Sequence, residues 1–86
     1  MNVLEKIAKN LQECTTLGLS ASEASSLSIY GKHMPGNFGC TMLMNIGTQV
    51  PEIIKNEWNR EVISGLHYYT HPDYTTTFVF SSQTLN

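Results

Sequence analysis

Charge is what this sequence has least of. Aspartate, glutamate, lysine and arginine make up 14% of the chain, where a typical globular domain carries about one quarter. The five cations, Lys6, Lys9, Lys32, Lys55 and Arg60, are dispersed. A surface that follows a phosphate backbone needs them clustered, and seven acidic residues are too few to imitate a nucleic acid. A nucleic-acid partner is therefore not expected. Cysteine is scarce too. Cys14 and Cys40 stand alone, whereas small secreted domains rely on denser disulfide frameworks. No stretch approaches the roughly 18 apolar residues of a membrane span. The opening MNVLEKIAKNLQE spreads charge through its apolar positions and has no leader-like apolar run. These absences point to a cytoplasmic protein, away from membranes, with both thiols reduced.

Recognised catalytic and ligand-binding patterns are missing as well. Gly36 and Gly39 do not stand in a phosphate-loop or dinucleotide spacing, and no cofactor is implied. His67, His71 and Asp73 resemble a metal set only on a helix. On a strand, four residues span about 13 Å, too far for ligands that each sit about 2 Å from one ion. No metal is expected there. Cys40 alternates with Met42 and Met44 like a small core residue, and no neighbouring signature makes it a nucleophile. Glu57 and Glu61 are one helical turn apart on what reads as a solvated face, which does not suit an acid/base pair. The chain is expected to be no enzyme.

What is present is a compact α+β pattern. The length of 86 residues and a hydrophobic fraction of 41% suit one domain over residues 1–86, with a loose tail at 83–86. A chain this short buries only roughly 60–65% of its unfolded surface, so the core is small. Val3, Leu4, Ile7, Ala8, Leu11 and Cys14 recur at helical spacing, with Asn2 as N-cap, Glu5 in capping-box position and Gly18 available as a stop. Glu5, Lys6, Lys9, Asn10, Gln12 and Glu13 are expected on the solvent side. Ser20 with Glu23 forms another capping box, predicting one or two helical turns before a strand through Leu27, Ile29 and Tyr30. Pro35-Gly36-Asn37 marks a turn, and Cys40–Ile46 a second strand that Leu43 makes apolar on both faces, hence central. A second helix runs from Thr48, with Pro51 and Glu52 in its first turn. Its stripe is Val50, Ile53, Ile54, Trp58 and Val62; an ending near Arg60 would leave Val62 and Ile63 to a strand.

The aromatic and threonine-rich stretch Leu66–Ser82 reads as a hairpin folded at His71-Pro72-Asp73. Joining its apolar sets puts Leu66 and Tyr68 on one face with Thr76, Phe78 and Phe80, leaving His67, Tyr69 and Val79 on the other. The expected order is αββαββ: a four-stranded, mostly antiparallel sheet with both helices packed on one face. Tyr30, Tyr69 and Tyr74 exceed what so thin an interior can take, so they and His67 and His71 are the candidate partner-binding residues. A weakly charged surface of net charge −2 favours association. The leading expectation is a non-enzymatic protein-binding module, such as a small inhibitor or accessory protein of the size found in bacteria and their viruses. It would bind through a sheet face or edge, and homodimerisation is one form of this. The first alternative is a helix-turn-helix-like DNA-binding regulator, which needs a second helix over Ser20–Tyr30. The second is a ligand-binding protein or enzyme with a pocket between sheet and helices, built on His33 or His67.

Overall fold

The computed structural model describes residues 2–29 and 39–81. Helix α1 spans Val3–Leu17 and is followed by a short 3-10 turn, Ala21–Glu23. The strands are β1 (Ala24–Ser28), β2 (Cys40–Met44), β3 (Asn59–Ile63), β4 (Leu66–Thr70) and β5 (Thr76–Ser81), with α2 (Glu52–Glu57) between β2 and β3. They form one mixed sheet in the order β1-β2-β5-β4-β3. The α+β class stands, with five strands where four are expected. The first hairpin's turn, Tyr30 and the tail at 83–86 lie outside the described residues.

Local chemistry sets the element ends much as the sequence implies. The Asn2 side chain accepts the Glu5 N–H at 2.8 Å, and Gly18 closes α1 at φ 77° in the left-handed region. Both arms of the Ser20–Glu23 capping box are made. Four boundaries differ, one of them the end of β2 at Met44, short of the expected Ile46. The segment from Ala24 turns extended directly after the 3-10 turn, so β1 ends at Ser28, short of the expected Ile29 and Tyr30. Helix α2 begins after Pro51, not Thr48, and has no side-chain cap. It also stops at Glu57, because Trp58 turns extended. The following residues form β3, closed onto β4 through Ser64 and Gly65 at φ 51° and 78°. Two consecutive positive φ values make the two-residue turn whose twist matches antiparallel strands.

Strand β2 is central, flanked by β1 and β5. It runs antiparallel to β1 but parallel to β5. The parallel contact arises because α2 and the β3–β4 hairpin carry the chain across before β5 returns. The register of the last hairpin differs by one residue from expectation: His67 faces Phe80, Tyr68 faces Val79 and Tyr69 faces Phe78. Tyr69 therefore shares the helix-covered face with Phe78 and Phe80, and Tyr68 takes the opposite one. Matching apolar sets selects a register only where one face is buried. Residues Thr76 to Phe80 of β5 are buried on both faces, so that rule had nothing to choose with.

Buried residues of α1 and α2, including Cys14, Leu17 and Ile54, cluster with Trp58, Met42, Met44, Tyr69, Phe78 and Phe80. Both helices thus pack on one face. Helix α1, however, is turned by about a quarter of a revolution from its apolar stripe, at 100° per residue. It buries Asn10, Glu13, Cys14 and Leu17, while Leu4 is 78% exposed and Leu11 is exposed too. The cause is Glu13. Its carboxylate accepts hydrogen bonds from the N–H of Thr75 (2.9 Å) and of Thr76 (3.0 Å), and from both threonine hydroxyls (3.1 and 2.7 Å). Bonds to a charged acceptor contribute roughly 1.5–3 kcal/mol each. That contribution is net of the bonds given up to water, and four of them together exceed the roughly 1.5–3 kcal/mol from burying each of two leucines. Asn10, one turn earlier, donates to Thr76 Oγ1.

Thr75 is a junction. Its carbonyl accepts the Cys40 N–H at 3.1 Å, and Gly39 lies so close that a Cβ there would overlap that carbonyl. The expected consequence is measurable. Glu13→Ala leaves buried donors unpaired and lowers stability by about 3 kcal/mol or more, a large part of the total for a domain this size. Leu11→Gln, on the face that periodicity alone would bury, stays within about 0.5 kcal/mol of the parent. Urea unfolding monitored by circular dichroism checks both; a larger loss in Leu11→Gln would contradict the observed helix orientation.

Candidate functional site

The two ends of the sheet differ, and the difference is set by sequence. At one edge, β1 is serine-rich and its register breaks at a bulge between Ala24 and Ser26. A bulge twists an edge away from further pairing. At the other edge, β3 pairs with β4 in unbroken register from Asn59–Thr70 to Ile63–Leu66. It carries no proline or bulge, and all five of its residues are exposed.

The two-residue turn fixes which backbone groups face out. Ile63 and Leu66 flank it as a hydrogen-bonded pair, so Asn59, Glu61 and Ile63 point their N–H and C=O groups at β4. The N–H and C=O of Arg60 and Val62 therefore point away from the sheet. The side chains alternate. Arg60 and Val62 stand beside Tyr69 and His67 on the helix side, and Glu61 and Ile63 beside Tyr68 and Leu66 on the other. Val62 is 53% exposed and Ile63 41%, so the helix layer stops short of β3. A second apolar surface, Leu4 with Leu11 one heptad on, lies along the outer side of α1.

The residues singled out from sequence have varied fates. Tyr69 is 3% exposed and packs edge-on against Phe80 at 5.8 Å; its ring belongs to the core. Tyr74 is half-buried beneath Trp58, with ring centroids 4.8 Å apart. His71 packs on both Trp58 and Tyr74 at 5.4 and 5.3 Å. Its Nδ1 accepts the Asp73 N–H at 3.0 Å, and its carbonyl accepts the Tyr74 N–H, which is turn chemistry. His67 is half-buried opposite Val62 on the edge strand. Burial, then the Arg60 charge, holds its pKa below the ordinary imidazole value. His67 thus adjoins the exposed edge, and Trp58, His71 and Tyr74 form one aromatic cluster near the Asn59 end of β3. Sequence reasoning missed Arg60 and Glu61 as surface strand residues and left Val62 and Ile63 open between helix and strand. The available signal was Ser64-Gly65 between Val62-Ile63 and Leu66, read as a helix stop when it was a hairpin turn.

Both thiols are structurally engaged. Cys14 and Cys40 are free thiols and buried. Burial and the Glu13 charge push Cys14 up; burial also pushes Cys40 up, against the lowering effect of Lys6. Cys14 contacts Met42 Sδ at 3.6 Å and Cys40 the Lys6 carbonyl at 3.6 Å. Among the described residues no group of three or more His, Cys, Asp or Glu side chains is placed to hold a metal ion. No helix among them is long and apolar enough to cross a membrane.

Two measurements test these environments. Neither thiol should react with a disulfide reagent at pH 8 in the folded protein, and both should react in urea, because raised pKa and burial suppress the thiolate. The depressed His67 pKa gives stability a defined pH slope. The unfolded imidazole takes up a proton near pH 6.5, while the folded one resists it. Stability is then full above about pH 6.5 and falls as pH drops below it. His67→Gln should lose less stability than the parent between pH 7.5 and 5.5, measured by urea midpoints. Comparison of the chain with protein-family models, curated proteins and solved structures found no match.

Proposed function

We propose that this protein acts by binding another protein, through the outer edge of β3, with which no described strand pairs, and not by catalysis. In this reading it is a small inhibitor or accessory protein that captures an extended segment of its partner as a sixth strand. The observation that carries the reading is the contrast between edges: β1 is broken by a bulge, while β3 is regular, exposed and free of proline. Proteins ordinarily blunt such edges, since unpaired N–H and C=O groups are a template for further pairing. Strand addition draws affinity from the main chain and specificity from alternate side chains. The engagement of both thiols in packing and of Glu13 in a hydrogen-bonded node supports a role without chemistry. The DNA-binding alternative has less support, because residues from Ala24 form a strand where its second helix would stand.

Val62→Pro tests the reading. The substitution removes an outward N–H and fixes φ at that position, which an edge strand tolerates. The fold should persist by circular dichroism. A protein retained from lysate by the parent should be lost, or bound at least tenfold more weakly, by the variant. Equal retention by both, or nothing retained by the parent, would count against the reading.

A further inference from the structure

The edge of β3 also encodes what it pairs with. Only Arg60 and Val62 direct backbone groups outward, so a second copy can pair antiparallel about a two-fold axis in three registers. One sets Arg60 opposite its own copy. The next sets Glu61 opposite its own copy. Like charges directly opposed across strands are destabilising. The third centres on Val62 and brings Arg60 against Ser64 of the copy, which lies in the turn at φ 51° and is not extended. That register leaves a single hydrogen-bonded pair. Among the described residues no strand pairs with this edge, and opposed like charges or the turn disfavour each of its self-pairings.

The same two charges select among other chains. Arg60 projects on the helix side and Glu61 on the opposite side, followed by exposed Val62 and Ile63, one on each side. Resting on the strand-addition reading above, we infer that the occupant is an extended segment of a different protein that sets an acid against Arg60, a base against Glu61, and apolar residues against Val62 and Ile63. An antiparallel segment then reads apolar-apolar-base-acid from its N-terminus. A parallel one reads acid-base-apolar-apolar.

Peptides of about ten residues with central Val-Val-Lys-Glu or Glu-Lys-Val-Val are the matched probes. Val-Val-Glu-Lys and Lys-Glu-Val-Val are their charge-swapped controls. Binding is read from backbone amide shifts of Arg60 and Val62, at peptide concentrations up to the millimolar range and low ionic strength. One matched peptide should bind about tenfold more tightly than its control, since two cross-strand pairs change from attractive to repulsive. The double variant R60E/E61R should reverse that preference while leaving the circular dichroism spectrum unchanged. Equal binding of matched and swapped peptides would overturn the charge code and leave strand addition standing. Amide shifts at neither position with any of the four would overturn the inference; if Val62→Pro also retained its partner, the function reading would fall with it.

Discussion

A single buried carboxylate holds this fold in its arrangement. The Glu13 charge is met by two backbone amides and two hydroxyls at the start of β5. An anion taken out of water tolerates little loss of such partners. The contact therefore sets where β5 begins, how α1 lies, and, through the Thr75 carbonyl and the close approach of Gly39, how β2 meets β5. That meeting is the parallel join between the two halves of the sheet.

The orientation of α1 follows from this node. The helix has a wide apolar arc and a polar pair, Asn10 and Glu13, at one border of it. The node draws that border inward, so Cys14 and Leu17 reach the core while Leu4 and Leu11 remain in water. Packing is then concentrated on the centre of the sheet. Strand β5 is buried on both faces, and its neighbours become progressively more exposed toward β3. The helices cover the middle of the sheet and leave that end uncovered.

An uncovered end is where strand pairing remains available. The β3 edge owes its regularity to the short turn that ties it to β4, and Arg60 and Glu61 stand at its centre. The aromatic residues that seemed surplus to a thin core are largely absorbed. Tyr69 enters the interior, and Tyr74 and His71 stack around Trp58. The weight of the interaction reading thus moves from aromatic rings to backbone groups.

The sequence by itself determined the local pieces, because local chemistry is enough to specify them. Asn2 and Gly18 bound the first helix, Ser20 with Glu23 builds a capping box, Leu43 marks β2 as central, and His71-Pro72-Asp73 makes a turn. The α+β class and the placement of both helices on one face follow from those pieces. Contacts between residues distant in sequence decided the rest. The rotation of α1 depends on a carboxylate meeting amides more than sixty positions away, which no periodicity records. The register of β5 depends on burial from both sides. The exposed edge exists only because α2 ends at Glu57 and the helix layer stops before β3. Alternation and propensity describe a segment against one generic apolar surface; a buried charge and a strand packed on two faces are properties of the assembled molecule.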